Sequence, residues 1–123
     1  MSSNKPFSIT GRIKSFGFAI EGIITFFKTQ HNAWIHALAA IIVVILGFIL
    51  KVNSYEWCIL AIAIALVFIS EMLNTAIEFL TDIVSPDYNL QAKKVKDVAA
   101  GAVLITSIAA VVIGVIIFLP KLL

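Results

Sequence analysis

Residues 58–82 form the segment "CILAIAIALVFISEMLNTAIEFLTD". Its first half is a continuous apolar run, and its second half carries Glu71, Asn74, Glu78 and Asp82 in what otherwise reads as a membrane segment. An ionisable side chain at membrane depth costs at least ~2.5 kcal/mol, so it normally faces protein or water. The stretch therefore predicts a membrane helix that carries a functional polar stripe.

The whole chain has the composition of a membrane protein. Of its 123 residues, 61% are hydrophobic and 13% are charged, and its mean hydropathy is +1.07, which is far more apolar than a soluble domain of this size. Each of three apolar stretches, with its flanks, is close to the roughly 20 residues that a membrane helix needs. We therefore predict an all-α integral membrane protein that is a single domain over 1–123. It has a surface helix over 7–28 and membrane helices over 31–50, 57–84 and 91–119.

The predicted surface helix is amphipathic. When it is wound at about 100° per residue, its apolar side chains fall within a narrow arc, and most of its charged side chains lie away from the centre of that arc. We expect this helix to lie in the cytoplasmic membrane interface, although a plain anchor or a helix packed on the bundle has the same pattern. The apolar arc consists of Ile9, Ile13, Phe16, Ile20, Ile23 and Phe27.

The basic residues predict the orientation, because positive charge is retained on the cytoplasmic side of a membrane. With three spans, seven of the nine basic residues lie on one side and only Lys51 and Lys121 on the other. The N-terminus is therefore expected in the cytoplasm. The seven residues on that side are Lys5, Arg12, Lys14, Lys28, Lys93, Lys94 and Lys96.

The acids of the opening stretch share one face of their helix, because a spacing of three or four residues returns to the same side. From Trp57 to Val84 the chain has 28 residues, or about 42 Å of helix, which exceeds a hydrocarbon core of about 30 Å. The stripe therefore runs from lipid depth to water. Glu71 is suited to take a proton from an alcohol, and Glu78, nearer water, to hold Mg²⁺. A polar seam between helices would need only Asn74 and its neighbouring threonine.

A second cluster, "AKKVKDVAAGAVL" from Ala92, lies where the third span begins. Lys93, Lys96 and Asp97 share a face there, and Lys96 with Asp97 is a candidate contact for phosphate and metal, although lysines also flank spans for topology alone. A base, a metal-binding carboxylate and nearby lysines suit phosphoryl transfer from a soluble donor to a lipid hydroxyl. The sequence has no GxxxxGK[ST] phosphate loop and no kinase glycine loop or DFG motif, so a nucleotide would need a different cradle.

The motifs "EMLNTAIE" at 71–78 and "KDVAAGAVL" at 96–104 resemble the small prokaryotic diacylglycerol kinases and their undecaprenol kinase relatives. The similarity covers nearly the whole chain and includes "RIKSF" at Arg12. It implies a homotrimer in the bacterial inner (cytoplasmic) membrane, with active sites at the cytoplasmic side that neighbouring subunits share. It also implies Mg²⁺ with ATP as the phosphoryl donor, a membrane lipid as the acceptor, and no nucleic acid partner.

The resemblance also implies roles for single residues. Glu71 matches the general base, which would meet the lipid substrate together with Asn74, and Glu78 matches the metal-binding glutamate. Gln30 stands where many relatives have a second metal-binding glutamate. A glutamine oxygen can ligate Mg²⁺ but brings no charge, so Gln30 is predicted as a ligand or as a neighbour of one. The remaining nucleotide contacts would be Arg12, Asp87, Tyr88, Lys96 and Asp97.

Several alternatives remain open from the sequence. Diacylglycerol and undecaprenol both offer a primary hydroxyl at the interface, and the motifs resemble the undecaprenol branch somewhat more closely. Membrane acids also build ion or proton relays, so a transport subunit is a rival prediction, although the outer halves of the three spans carry no acid or base. A non-catalytic protein that only packs with partners would tolerate glutamine at Glu71 and Glu78.

Overall fold

The computed structural model describes residues 6–123, which form four helices and no strand. Three of the helices are long and apolar enough to cross a membrane, which confirms the prediction of an all-α protein with three membrane helices. Lys5, which contributed to the predicted orientation, lies outside the described residues. In chain order the helices are α1 (Ile9–Thr29), α2 (His31–Ile49), α3 (Ser54–Val84) and α4 (Leu90–Leu122).

A single residue, Gln30, separates α1 from α2. Its backbone is extended, with φ −118° and ψ 114°, so the helix is interrupted there. The Gln30 N–H still donates to the Phe26 carbonyl at 3.0 Å, and the Gln30 carbonyl accepts from the Ala33 N–H at 3.2 Å. The Trp34 indole N–H donates to the Phe27 carbonyl at 2.9 Å and holds the corner between the two helices. Gln30 therefore sits at a fixed corner rather than on a helix face.

The turn between α2 and α3 is tight and well capped. The Asn53 side chain accepts from the Glu56 N–H at 2.9 Å, and the Glu56 carboxylate accepts from the Asn53 N–H at 3.0 Å. This reciprocal capping box satisfies two N–H groups that the first helical turn cannot pair internally. It starts α3 at Ser54, three residues before the apolar stretch that begins at Trp57. Lys121, near the end of α4, reaches Glu56 at 3.1 Å and ties α4 to the same turn.

Helix α3 packs most extensively on α4 and less on α2. At the end near the α2–α3 turn, Val52, Leu60, Ile117 and Phe118 form the buried core. Most other large apolar side chains are exposed, as expected where lipid or another subunit supplies the apolar surroundings. Midway along α3 and α4, a hydrogen bond joins the hydroxyl groups of Ser70 and Thr106, with 2.7 Å between Oγ and Oγ1.

The lengths of α3 and α4 position the site. With 31 and 33 residues they are about 46 and 50 Å long, so both exceed a hydrocarbon core of about 30 Å. The turn over 85–89 joins them, and Asn89 starts α4 by accepting from the Gln91 and Ala92 N–H groups at 2.8 and 3.4 Å. The acids at the end of α3 and the lysines at the start of α4 therefore meet at one end of the helix pair.

Candidate active site

Glu71 lies in the interior of α3 and is buried, with 6% of its surface exposed. Its Oε1 atom is 2.8 Å from Nε2 of His36, which α2 contributes. Because a carboxylate can only accept a hydrogen bond, the imidazole Nε2 carries the hydrogen when Glu71 is ionised. A buried charge needs such a partner, since an isolated one would carry the full cost of its lost hydration. The structure thus places the predicted base in a paired, nearly dry position.

Two turns further along α3, Glu78 lies on the same side of the helix as Glu71. Between them, Asn74 donates from Nδ2 to Glu78 Oε1 at 3.3 Å. The other end of that amide, Asn74 Oδ1, is buried and has no hydrogen-bond partner in the part of the chain that the structure describes. An oxygen in that condition is available to a hydroxyl or a cation. Asn74 and Glu78 therefore lie in contact, and the Asn74 side-chain oxygen can still accept a hydrogen bond.

The charged side chains at the start of α4 form two ion pairs. Lys96 Nζ lies 2.6 Å from Asp82 Oδ1 on α3, and Lys93 Nζ lies 2.6 Å from Asp97 Oδ2 one turn along α4. Lys96 and Asp97, which are predicted to contact the nucleotide, are thus each held by a different side chain. Asp82, to which the sequence assigned no role, holds Lys96 in place across the two helices.

These ion pairs line a polar cavity of about 300 Å³ at the turn between α3 and α4. The turn itself supplies Asp87 and Tyr88, both of them exposed, so both predicted loop residues lie with the predicted lysine and aspartate of α4. The cavity is open and charged, and its three carboxylates outnumber its two lysine ammonium groups. Its charged and aromatic lining consists of Asp82, Asp87, Tyr88, Lys93, Lys96 and Asp97.

Arg12 and Gln30, which are predicted to contact nucleotide or metal, do not line this cavity in the single chain. The Arg12 guanidinium lies over the Phe7 ring, 5.5 Å from its centre, and the Gln30 side-chain amide donates to Thr29 Oγ1 at 3.3 Å. Over residues 6–123, moreover, no three histidine, cysteine or acidic side chains come together as a metal site. Residues 6–123 of a single chain therefore bring together the predicted base and most of the predicted nucleotide contacts, but not a closed ring of metal ligands.

Sequence reasoning missed the partnership of His36 with Glu71. The pairing depends on how α2 rotates against α3, which no local pattern in the sequence specifies. One signal was available: His36 is the only polar residue between positions 35 and 50. It also borders an apolar cavity of about 300 Å³ between α2, α3 and α4, whose wall includes Val43, Val67 and Phe68.

The fold and these side chains define a small helical membrane protein with a polar site at one end of its spanning helices. The family model described as "Prokaryotic diacylglycerol kinase" matches residues 17–118, and the chain belongs to this family. It is a lipid kinase, and ATP is the phosphoryl donor that such a kinase family implies.

Individual relatives support the same assignment. The chain is 42% identical over 109 residues to an undecaprenol kinase of Bacillus subtilis, with 89% of each protein covered. It is 41% identical over 110 residues to a diacylglycerol kinase of Synechocystis, covering 89% of this chain and 63% of that protein. It is 28% identical to the diacylglycerol kinase of Escherichia coli, covering 89% of this chain and 90% of that one.

Proposed function

We propose that this lipid kinase transfers the γ-phosphoryl group of Mg²⁺-ATP to the primary hydroxyl of a membrane lipid, with undecaprenol or diacylglycerol as the acceptor. One observation carries the proposal: a buried carboxylate, Glu71, lies two helical turns from Glu78 on a helix whose end opens into a charged cavity. The first position suits a lipid alcohol at membrane depth. The second suits a phosphate chain that arrives from water.

Glu71 is the proposed general base. His36 holds its Oε1 atom, so the other carboxylate oxygen is left for the lipid hydroxyl. In the transfer step the hydroxyl proton passes to Glu71, the hydroxyl oxygen bonds to the γ-phosphorus, and the bond from that phosphorus to the β,γ-bridging oxygen breaks. ADP leaves with the electron pair of that bond, and the proton on Glu71 is later lost to water.

Glu78 is the proposed ligand of Mg²⁺. The donor set fits this ion, because Mg²⁺ in kinases is bound through one or two carboxylates together with substrate phosphates and water. Glu78 and the unpartnered Asn74 oxygen beside it supply hard oxygen ligands, and the Gln30 side-chain oxygen is a further candidate. When bound, Mg²⁺ would neutralise charge on the phosphates during transfer.

The nucleotide would lie at the polar cavity. Lys96 is the proposed phosphate contact, with Asp82 fixing its side chain, and Asp87, Tyr88 and Asp97 line the same space. Phosphoryl transfer depends mainly on positioning and charge neutralisation, and a lysine held at a fixed point supplies both. Arg12 is the proposed contact from α1.

The separation of Arg12 and Gln30 from the polar cavity favours a site shared between subunits of a homotrimer. In such an assembly one subunit supplies α1 and the α1–α2 corner to the α3–α4 turn of its neighbour. Most side chains of α1, including Ile9, Ile13 and Phe16, are exposed in the single chain, which suits a helix in the membrane interface. The excess of basic residues on this side favours a cytoplasmic orientation, and the family favours the bacterial inner membrane.

A direct test is to incubate purified protein in mixed micelles with Mg²⁺ and labelled ATP, supplying diacylglycerol and undecaprenol separately. We expect label in at least one lipid, and the preferred acceptor identifies the substrate. Label in neither lipid would overturn the proposed reaction. Omitting Mg²⁺ should abolish labelling, because phosphoryl transfer needs the cation as well as the lysines to neutralise charge on the phosphates.

A further inference from the structure

We propose that His36 is a positioning residue for the Glu71 carboxylate, an inference that rests on the proposed role of Glu71 as the base. His36 would donate its Nε2–H to Oε1 of Glu71 and thereby decide which oxygen faces the lipid hydroxyl. The two residues are 35 positions apart in the chain and come from different helices, so the contact is made by the packing of α2 on α3.

The surroundings of this contact favour a specific role. The side chain of Glu71 is 8% exposed and that of His36 is 24% exposed, so water has little access to the shared hydrogen bond. One edge of the imidazole borders the apolar cavity and lies near Phe68, with the two rings 6.3 Å apart. A donor held in such apolar surroundings constrains its acceptor more than an exposed donor would, because water does not compete for the bond.

The geometry also gives the two oxygens of the Glu71 carboxylate different roles. With Oε1 occupied by His36, Oε2 is the oxygen free to accept a proton. Thr75, the next buried polar residue, donates its hydroxyl to the Glu71 backbone carbonyl at 2.9 Å and does not compete for the carboxylate. Asn74 donates to Glu78. His36 is therefore the only group that a hydrogen bond joins to the Glu71 side chain within residues 6–123.

The test compares two substitutions of the same residue. His36→Leu puts an apolar side chain of similar length in place of the imidazole and removes the donor, whereas His36→Gln keeps an N–H donor without the ring. We expect His36→Leu to lower kcat about 10- to 100-fold with the KM for ATP unchanged, because misplacing a reacting group costs rate rather than nucleotide binding. We expect His36→Gln to recover most of the lost kcat.

A matched control is Thr106→Val, which removes the hydroxyl pair between α3 and α4 one residue from Glu71. If His36 only held helices together, both His36→Leu and Thr106→Val would lower the melting temperature, and glutamine would not restore kcat selectively. Unchanged kcat in His36→Leu would overturn the inference. If instead the wild-type protein labels no lipid, the proposed reaction fails, and the two failures are distinguished by the wild-type assay alone.

Discussion

Lys96 and Asp82 form an ion pair that joins the start of α4 to the end of α3, with 2.6 Å between Nζ and Oδ1. Both side chains are largely exposed, at 40% and 62%, so the pair contributes little to stability by itself. Its value lies in placement, because it fixes a lysine ammonium at the edge of the polar cavity. Breaking this ion pair should therefore affect enzyme activity more than the stability of the protein.

Replacing Asp82 by asparagine should raise the KM for ATP about 3- to 10-fold, since Lys96 would lose the partner that holds it toward the phosphates. The melting temperature in detergent should change little. Steady-state kinetics with varied ATP and a thermal melt measure the two effects. Lys121→Gln is the control, because it removes another α3–α4 ion pair at the opposite end of the helices. An equal rise in KM in both variants would contradict the positional role.

Replacing Glu71 by glutamine should lower kcat by at least about 100-fold, because the amide cannot accept the hydroxyl proton. The bound nucleotide should be retained, since Glu71 lies outside the polar cavity. Single-turnover labelling and equilibrium ATP binding in micelles measure these two properties. Glu21→Gln, which neutralises an exposed glutamate of α1, should leave both unchanged. Near-normal turnover in Glu71→Gln would show that another group takes the proton.

Glu78→Gln should increase the Mg²⁺ concentration needed for half-maximal rate by about tenfold, because a hard cation loses a charged oxygen ligand. A titration of Mg²⁺ at constant ATP measures the shift. Raising Mg²⁺ should restore much of the rate in this variant but not in Glu71→Gln. Failure of added Mg²⁺ to restore any rate would argue that Glu78 serves a role other than metal binding.

Gln30→Glu should lower the Mg²⁺ requirement, whereas Glu78→Gln should raise it. A carboxylate at the α1–α2 corner would add a charged ligand and lower the Mg²⁺ concentration for half-maximal rate by several-fold. Asn32→Asp adds the same charge two residues away, on an exposed position of α2, and serves as the control. If both variants shift the Mg²⁺ dependence equally, the effect is one of general electrostatics, and Gln30 is no ligand.

Gly47→Ala tests the packing at the other end of the molecule. Gly47 lies directly under the Trp57 indole, and an added Cβ would overlap that ring, so we expect a loss of about 1–3 kcal/mol in stability. Thermal melting in detergent measures the loss, while kcat should be nearly unchanged because Glu71 is about 21 Å along α3 from Trp57. Gly114→Ala, where an added Cβ meets nothing within 4 Å, should not destabilise the chain.

The features of this fold that are predictable from the sequence are those that depend on short segments of the chain. The three membrane helices and the polar stripe of Glu71, Asn74 and Glu78 are predictable, because apolar length and helical spacing are properties of short segments. The hydrogen bond from Asn74 to Glu78 follows from the same spacing. Helix ends are less predictable from hydropathy alone: α3 starts at Ser54 because the side chains of Asn53 and Glu56 cap it.

Contacts between helices required the tertiary structure. The sequence indicated Lys96 and Asp97 as nucleotide contacts, and only the fold shows that Lys96 is paired with Asp82 and Asp97 with Lys93. His36 is conspicuous in the sequence only as a polar residue in an apolar helix, and nothing local indicates that it meets Glu71. The reason is physical: a contact between helices depends on the rotation and offset of one helix against another, which the sum of all their packing interactions sets.

Composition and periodicity, which act within each segment, were enough to predict a helical protein with three segments apolar enough to span a membrane and with acids along one face of the second. The tertiary structure was needed to show which acid is paired, which lysine is held, and that Arg12 and Gln30 lie away from the polar cavity of their own chain. Those relations join residues on different helices, and their distances exist only once the helices have packed.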